Sequence, residues 1–332
     1  MNQKHLLYLC DKLQLGLPDV KVTSIDSSRG GSFIWRVNTE KGSYAIKQLA
    51  PVIDIKNEKI IAKYELCETI AHRFSQQGIL TVCALNEFGK HLFMLENSGY
   101  LVYPWVEGYI LGRNEISEMH ALKVAEIIAK LHNINLNVPE IKEPRFDIYS
   151  NDNLVDAIDK AILFKCPFAK ILKENQKLIL SINDSYFSAI PILKEQNVVS
   201  HCDVDQLNII WDKKDKPILI DWETTRKMNP TFEVVRTSLG WAGLGTENFS
   251  VSLYTHMLKI YKKSGGVLNI DIINAALHGV FGSMINWILY NIAVACTSAI
   301  TEEKNTATDE INSVMISMKR LKILIPELSK IL

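Results

Sequence analysis

With 332 residues, 47% of them hydrophobic and 22% charged, the chain can bury a large core and exceeds the usual size of one compact domain. Its 37 Lys and Arg cancel its 37 Asp and Glu, which removes the global field that would recruit nucleic acid or an anionic membrane surface. Two lobes and a small-molecule partner are therefore expected, with no nucleic acid and no membrane.

The N-terminus reaches a charge too soon for a secretory signal. Leu6, Leu7, Cys10 and Leu13 recur at helical spacing and stop at Gly16 and Pro18, which predicts a short leading helix. Residues 21–25, 32–38 and 43–49 are rich in β-branched and aromatic side chains, with turn signals Arg29-Gly30-Gly31 and Glu40-Lys41-Gly42 between them. An antiparallel meander follows from that texture. Over 57–77, Ile60, Tyr64, Cys67, Ala71 and Phe74 make one apolar stripe, a helix closed by Gly78. Further strands are predicted at 81–85, 92–95 and 100–103.

Beyond Trp105-Val106-Glu107-Gly108 the pattern is helical over 117–132, 152–164, 169–182, 251–263, 270–300 and 308–332. The stretch 278–300 is apolar enough to suggest a membrane span, but His278, Ser283, Asn286 and Asn291 interrupt it, so it reads as a core helix. Cys10, Cys67, Cys83, Cys166, Cys202 and Cys296 are scattered without C-x-x-C or zinc spacing, the usage of reduced thiols in a cytoplasmic protein.

The chemistry concentrates in Ser200-His201-Cys202-Asp203-Val204-Asp205-Gln206-Leu207-Asn208, followed after a turn by Ile218-Leu219-Ile220-Asp221-Trp222-Glu223. H-x-D-x-x-x-x-N before an apolar run ending in aspartate is the arrangement of a kinase-type phosphoryl-transfer loop. Asp203 would orient the acceptor hydroxyl, and Asn208 and Asp221 would hold Mg2+ with oxygen ligands. His201 would fix the loop backbone and is a weaker candidate for proton transfer.

Lys47 sits in a strand pattern, Tyr44-Ala45-Ile46-Lys47-Gln48, suited to the lysine that bridges the α- and β-phosphates of ATP. Its expected carboxylate partner lies on the 57–77 helix, Glu68 in preference to Glu65. The loop Ser27-Ser28-Arg29-Gly30-Gly31-Ser32 is either a phosphate cover, with Gly31 and Ser32 contributing, or a plain hairpin turn. Pro104 and Val106 fall in an apolar crossover fit for an adenine edge.

These residues carry a family resemblance. The loop from His201 to Asn208, Ile220-Asp221-Trp222-Glu223, Lys47, Glu107-Gly108 and Ala129-Lys130-Leu131-His132 resemble the aminoglycoside phosphotransferase and choline kinase superfamily. The likeness runs from about Ile25 to Pro230. It implies an α+β, two-lobed protein-kinase-like fold: a small antiparallel β-rich nucleotide-binding lobe with one main helix (1–106), and a large helical lobe with the catalytic loop and acceptor site (107–332). It also implies an ATP-dependent kinase of a small alcohol such as an aminoglycoside, amino sugar, choline or homoserine. A protein serine/threonine kinase or a pseudokinase scaffold on the same fold are the alternatives. Cys202 and Leu207 stand where the family usually has glycine, and Asp205-Gln206 where it often has histidine-proline. Trp241, Trp287, Tyr290, Glu223 and Glu233 are candidate acceptor-lining groups. Nothing in the patterning fixes an oligomeric state.

Overall fold

Tight turns between short β-rich runs make the first part of the chain a sheet. The computed structural model describes residues 1–19, 22–25, 31–112 and 115–331. Strands β1 (Thr23–Ile25), β2 (Phe33–Thr39), β3 (Gly42–Gln48), β4 (Phe93–Leu95) and β5 (Ser98–Pro104) pair antiparallel in the order β1-β2-β3-β5-β4. The short β2–β3 turn sets the register, with Thr39 opposite Gly42 and Lys47 between Ile34 on β2 and Leu101 on β5.

Side chains alternate across a strand, so Ile46 and Lys47 look to opposite faces. On the Ile46 face, helix α1 (Gln3–Lys12) lays Leu6, Leu9 and Cys10 against Trp35, Val37, Tyr100 and Val102. On the Lys47 face, α2 (Glu58–Gln76) adds Tyr64 to a cluster of Leu49, Ile55, Ala84, Leu92 and Leu101. A one-residue slip of β3 would drive the lysine into the apolar α1 face, so burial itself specifies its direction. Residues 81–85, expected as a strand, lie outside the sheet. Thr81 bridges Leu219 and Leu85 donates its N–H to the Val102 carbonyl, single contacts in place of a ladder.

The chain forms two compact units, Met1–Leu111 with Leu207–Thr225, and Gly112–Gln206 with Arg226–Leu332. The first unit therefore includes the hairpin of β7 (Ile209–Trp211) and β8 (Pro217–Leu219). The second carries the short pair β6 (Val198–Ser200) and β9 (Arg226–Met228) and the helices α3 (Glu118–Ile134), α4 (Asn151–Leu163), α5 (Ala169–Glu174), α6 (Gln176–Leu193), α7 (Pro230–Trp241), α8 (Val251–Lys263), α9 (Ile273–Thr297) and α10 (Thr301–Leu328).

The expected 169–182 helix is two helices broken at Asn175, with the second running on through Pro191. Helix α7 was not expected at all. It is buried on nearly every side, from Pro230 to Trp241, and so shows no amphipathic stripe for the 3.6-residue period to reveal. Asn229 caps it by accepting the N–H groups of Thr231 and Phe232, and Pro230 fills its first turn, a cap contribution of about 1 kcal/mol.

Among the described helices, α9 is long and apolar enough to cross a membrane by length and composition. Half of its most apolar window is buried, and it packs against α4, α6, α7 and α10.

Candidate active site

In the first unit, the β7–β8 hairpin brings the two expected metal ligands together. Its turn is closed by Asp212, whose Oδ1 accepts the N–H groups of Lys214 at 2.7 Å and Lys216 at 2.9 Å. Ile209 faces Leu219, Ile210 faces Ile218, and one step further the Ile220 N–H donates to the Asn208 carbonyl at 3.0 Å. Asn208 and Asp221 thus sit at the open end of one hairpin. Asp221 has φ 61° and ψ 70°, a left-handed conformation that costs a non-glycine residue roughly 1–2 kcal/mol. That strain is held by the turn after it. Trp222 stacks on Phe74 of α2 at 5.2 Å and donates its indole N–H to Thr81 at 2.6 Å.

The same turn brings a second carboxylate to Lys47 beside Asp221. Lys47 is buried, and its Nζ lies 2.6 Å from Glu223 Oε1 and 3.2 Å from Asp221 Oδ1. Burial opposes the charged form, but the charges and hydrogen bonds of Asp221 and Glu223 outweigh it and raise the lysine above its ordinary value. It stays an ammonium.

The expected pairing of Lys47 with Glu68 is not made. Glu68 is buried and already satisfied, accepting the Tyr103 hydroxyl at 2.7 Å and the Ala84 N–H at 2.9 Å, and burial raises its pKa. Glu65 is equally committed, accepting from the His91 and Leu92 backbone N–H groups and the His91 ring. Glu223, expected as an acceptor-lining group, is the lysine's partner instead. Its signal in the sequence was its place two residues after Asp221.

In the second unit, the loop that carries Asp203 is held from beneath by α7. Glu233 has no exposed surface, and its Oε1 accepts the Ser200 hydroxyl at 3.0 Å and the Cys202 N–H at 3.1 Å, while Oε2 meets His132 Nε2 at 3.1 Å. Burial disfavours its charge, yet the hydrogen bond and charge of His132, the Arg236 charge and the Ser200 bond prevail and hold the carboxyl well below its usual range. One turn along, Arg236 donates to the Cys202 carbonyl, and at the helix end the Trp241 indole N–H donates to the Val204 carbonyl at 2.9 Å. Glu233, read from sequence as acceptor-lining, is therefore a buried support of the loop, while Trp241 supports the loop and also lines a cavity of the second unit.

Cys202 has φ 63° and is almost fully buried. The position requires the left-handed backbone that suits glycine, and the bonds from Glu233 and Arg236 on either side of the residue impose it. His201 is fully buried, and its Nδ1 accepts the Asp203 N–H at 3.3 Å. Asp203 itself is half-buried.

The remaining expected contacts are dispersed. Gly31 adopts φ 71° and Ser32 is buried, whereas residues 27–30 of the proposed phosphate cover lie outside the described residues. Pro104 and Val106 line a cavity of about 590 Å³ in the first unit with Leu13, His72, Thr81 and Cys83. Gly108 is required by close approach: a Cβ there would meet the Trp211 carbonyl and Ile210 at 2.5 Å, where Tyr109 and Trp211 exchange backbone hydrogen bonds. Trp287 and Tyr290 stack on each other at 5.2 Å, with the Trp287 N–H donated to Glu310. A cavity of about 1050 Å³ in the second unit is lined by Trp241, Thr246, Asn248, Asp309, Asn312 and Arg320, among others.

Among the described residues, no group of three or more His, Cys, Asp or Glu is arranged as a metal cage. One amide and one or two carboxylates at a hairpin end are instead the donor set Mg2+ accepts, since it keeps water and phosphate oxygens in its remaining positions.

Comparison with known proteins bears on the family and the fold. The model of a family described as a phosphotransferase enzyme family matches residues 28–258. Among solved structures, a spectinomycin phosphotransferase bound to ADP and spectinomycin is 13% identical, covers 96% of this chain and 98% of its own, and superposes with a TM-score of 0.68. The ethanolamine kinase of Plasmodium vivax is 18% identical over 100% of this chain and 91% of its own, with a TM-score of 0.60. An amicoumacin kinase in complex with AMP-PNP, Ca2+ and Ami is 13% identical, covers 95% of this chain and 93% of its own, and has a TM-score of 0.64. The fold is thus the expected α+β, kinase-like one. No curated protein sequence matches the chain significantly.

Proposed function

Because the chain belongs to the phosphotransferase enzyme family, we propose that it moves the γ-phosphoryl group of ATP to a hydroxyl of a small molecule, in the cytoplasm and with Mg2+. The observation that carries the reading is the buried Lys47 ammonium held between Asp221 and Glu223. Such a cluster retains a full positive charge where a polyphosphate needs one, beside carboxylates at the end of the Asn208–Asp221 hairpin. The nucleotides and Ca2+ bound by similar structures support a nucleotide and a divalent ion here.

In this reading, Lys47 contacts the α- and β-phosphate oxygens and keeps the chain extended for in-line attack. Asn208 and Asp221, with Glu223 near, would hold Mg2+, whose charge offsets that of the phosphates. Asp203 orients the acceptor hydroxyl and takes its proton as the new O–P bond forms and the bond to ADP breaks. His201 acts on the loop and not on the substrate, since its ring is buried and accepts the Asp203 N–H. Glu233, Arg236 and Trp241 keep the loop backbone in place. The second unit's cavity, with Asp309, Asn312 and Asn248 on its wall beside Trp241 and Leu253, suits an acceptor that carries hydroxyl or amino groups on an apolar frame.

The test is an ATP-consumption screen with aminoglycosides, amino sugars, choline, ethanolamine, homoserine and methylthioribose, with phosphorus NMR of the product. Acceptor-dependent ADP formation and a phosphate monoester are expected with at least one class. Nucleotide binding without turnover on any acceptor would replace the proposal by a non-catalytic nucleotide binder.

A further inference from the structure

All six cysteines are free thiols, but two of them already touch. Cys166 follows α4, where the chain turns sharply: Lys165 has φ 52° and the Cys166 N–H donates to the Ala161 carbonyl at 2.9 Å. Cys296 lies in the last turn of α9. Their sulfurs are 3.8 Å apart, with Cys166 buried and Cys296 half-buried. Both belong to the second unit, and α4 packs on α9. Among the described residues, no other two cysteine sulfurs come within hydrogen-bonding reach. None of the roles given to the catalytic loop, the lysine or the acceptor cavity uses them.

We propose that Cys166 and Cys296 form a disulfide-forming modification site that clasps the α4–α5 turn to the end of α9 when a low-molecular-weight disulfide such as oxidised glutathione is present. A disulfide needs the sulfurs at about 2.05 Å, so closure requires a movement of somewhat under 2 Å, within reach of side-chain rotation. Cys296, the more exposed thiol, reacts first. Its thiolate attacks one sulfur of the oxidant, forming a mixed disulfide and releasing one reduced thiol. Cys166 then loses its proton to water and attacks the Cys296 sulfur, which releases the second reduced thiol and leaves the protein disulfide. The order matters because burial, followed by the hydrogen bond and charge of Cys296, pushes the Cys166 thiol up to about 11, while the Lys304 charge partly offsets this. Cys166 is therefore poor at attacking a reagent in solution. It is adequate as the resolving group against a sulfur held beside it.

The chain between the two cysteines includes the His201–Asn208 loop, so the clasp encloses the catalytic segment in a covalent ring. A long closed loop raises thermal stability by restricting the unfolded chain. The experiment treats the full chain with oxidised glutathione, alkylates the remaining thiols, and reads intact mass, peptide maps and melting temperature. The expected results are two fewer alkyl groups on the oxidised than on the reduced protein, a cross-linked peptide joining Cys166 to Cys296, and a melting temperature raised by about 2–10 °C. Dithiothreitol should reverse all three. Cys166→Ser should instead accumulate the glutathione adduct on Cys296, and Cys296→Ser should form neither species at these positions. A disulfide that maps to other cysteines, or the absence of a cross-link in folded protein that forms one readily once denatured, would overturn the proposal.

Discussion

Replacing Glu233 by glutamine removes a charge without changing shape, and it probes the support under the catalytic loop. In the native protein this carboxylate accepts from Ser200, Cys202 and His132 at 3.0–3.1 Å and has no exposed surface. Glutamine keeps one carbonyl oxygen for Ser200 and Cys202 but presents an amide donor toward His132, whose other nitrogen meets the Tyr261 hydroxyl at 2.8 Å. Charge-assisted bonds become neutral ones, and we expect Glu233→Gln to lose roughly 1.5–3 kcal/mol and Glu233→Ala roughly 3–5 kcal/mol, the latter leaving buried donors unpaired. The pH dependence has a defined sign. The folded-state pKa of Glu233 is depressed, so its contribution is complete above the unfolded value near about 4.3 and is lost as pH falls through the folded value. Urea unfolding of both proteins at about pH 7 and about pH 3.5 measures this directly, and the gap between wild type and Glu233→Gln should narrow on acidification. A difference under about 0.5 kcal/mol at neutral pH, or a gap that widens in acid, would refute the role assigned to the clamp.

Three further outcomes follow from the same geometry. Lys47→Met should lower turnover by roughly 10²-fold or more, and Glu223→Gln by a smaller factor, since the lysine keeps Asp221 as a partner; steady-state kinetics with varied ATP reads both. Glu68→Gln should leave the kinetic parameters closer to wild type than Glu223→Gln does, because Glu68 is bonded to Tyr103 and Ala84 and not to the lysine; the opposite order would restore the Lys47–Glu68 pairing. Cys202→Ala keeps the left-handed backbone but removes a buried thiol, so it should cost about 0.5–2 kcal/mol in a melting assay with kcat within a few-fold of wild type.

The sheet was legible because short runs of β-branched and aromatic residues lie between tight turn signals, and α2 because its one buried stripe leaves a period of 3.6 in the sequence. Helix α7 left no such trace, since residues on every side of it are buried; its Asn-Pro start was the signal available. The catalytic segment was legible for another reason, that phosphoryl transfer needs specific polar groups at fixed spacing. Asp203, Asn208 and Asp221 are proposed from that spacing, and the hairpin places Asn208 and Asp221 at one end. The partner of Lys47 could not, because carboxylates on α2 and on the turn after β8 both come near the lysine and the choice depends on which hydrogen bonds saturate first. Tyr103 and the Ala84 N–H capture Glu68, so Glu223 takes the ion pair. Glu233 was misread as acceptor-lining for a related reason. A buried acid supporting a loop and an exposed acid lining a cavity look identical until burial is known.

The central step of the proposed reaction is Asp203 acting on the acceptor hydroxyl, and Asp203→Asn tests that most directly. With an acceptor found by the screen, and with nucleotide affinity checked separately, the variant should bind ATP as wild type does while kcat falls by roughly 10²–10⁴, or about 3–5 kcal/mol of barrier. Turnover within a few-fold of wild type would remove Asp203 from the chemistry and contradict the mechanism.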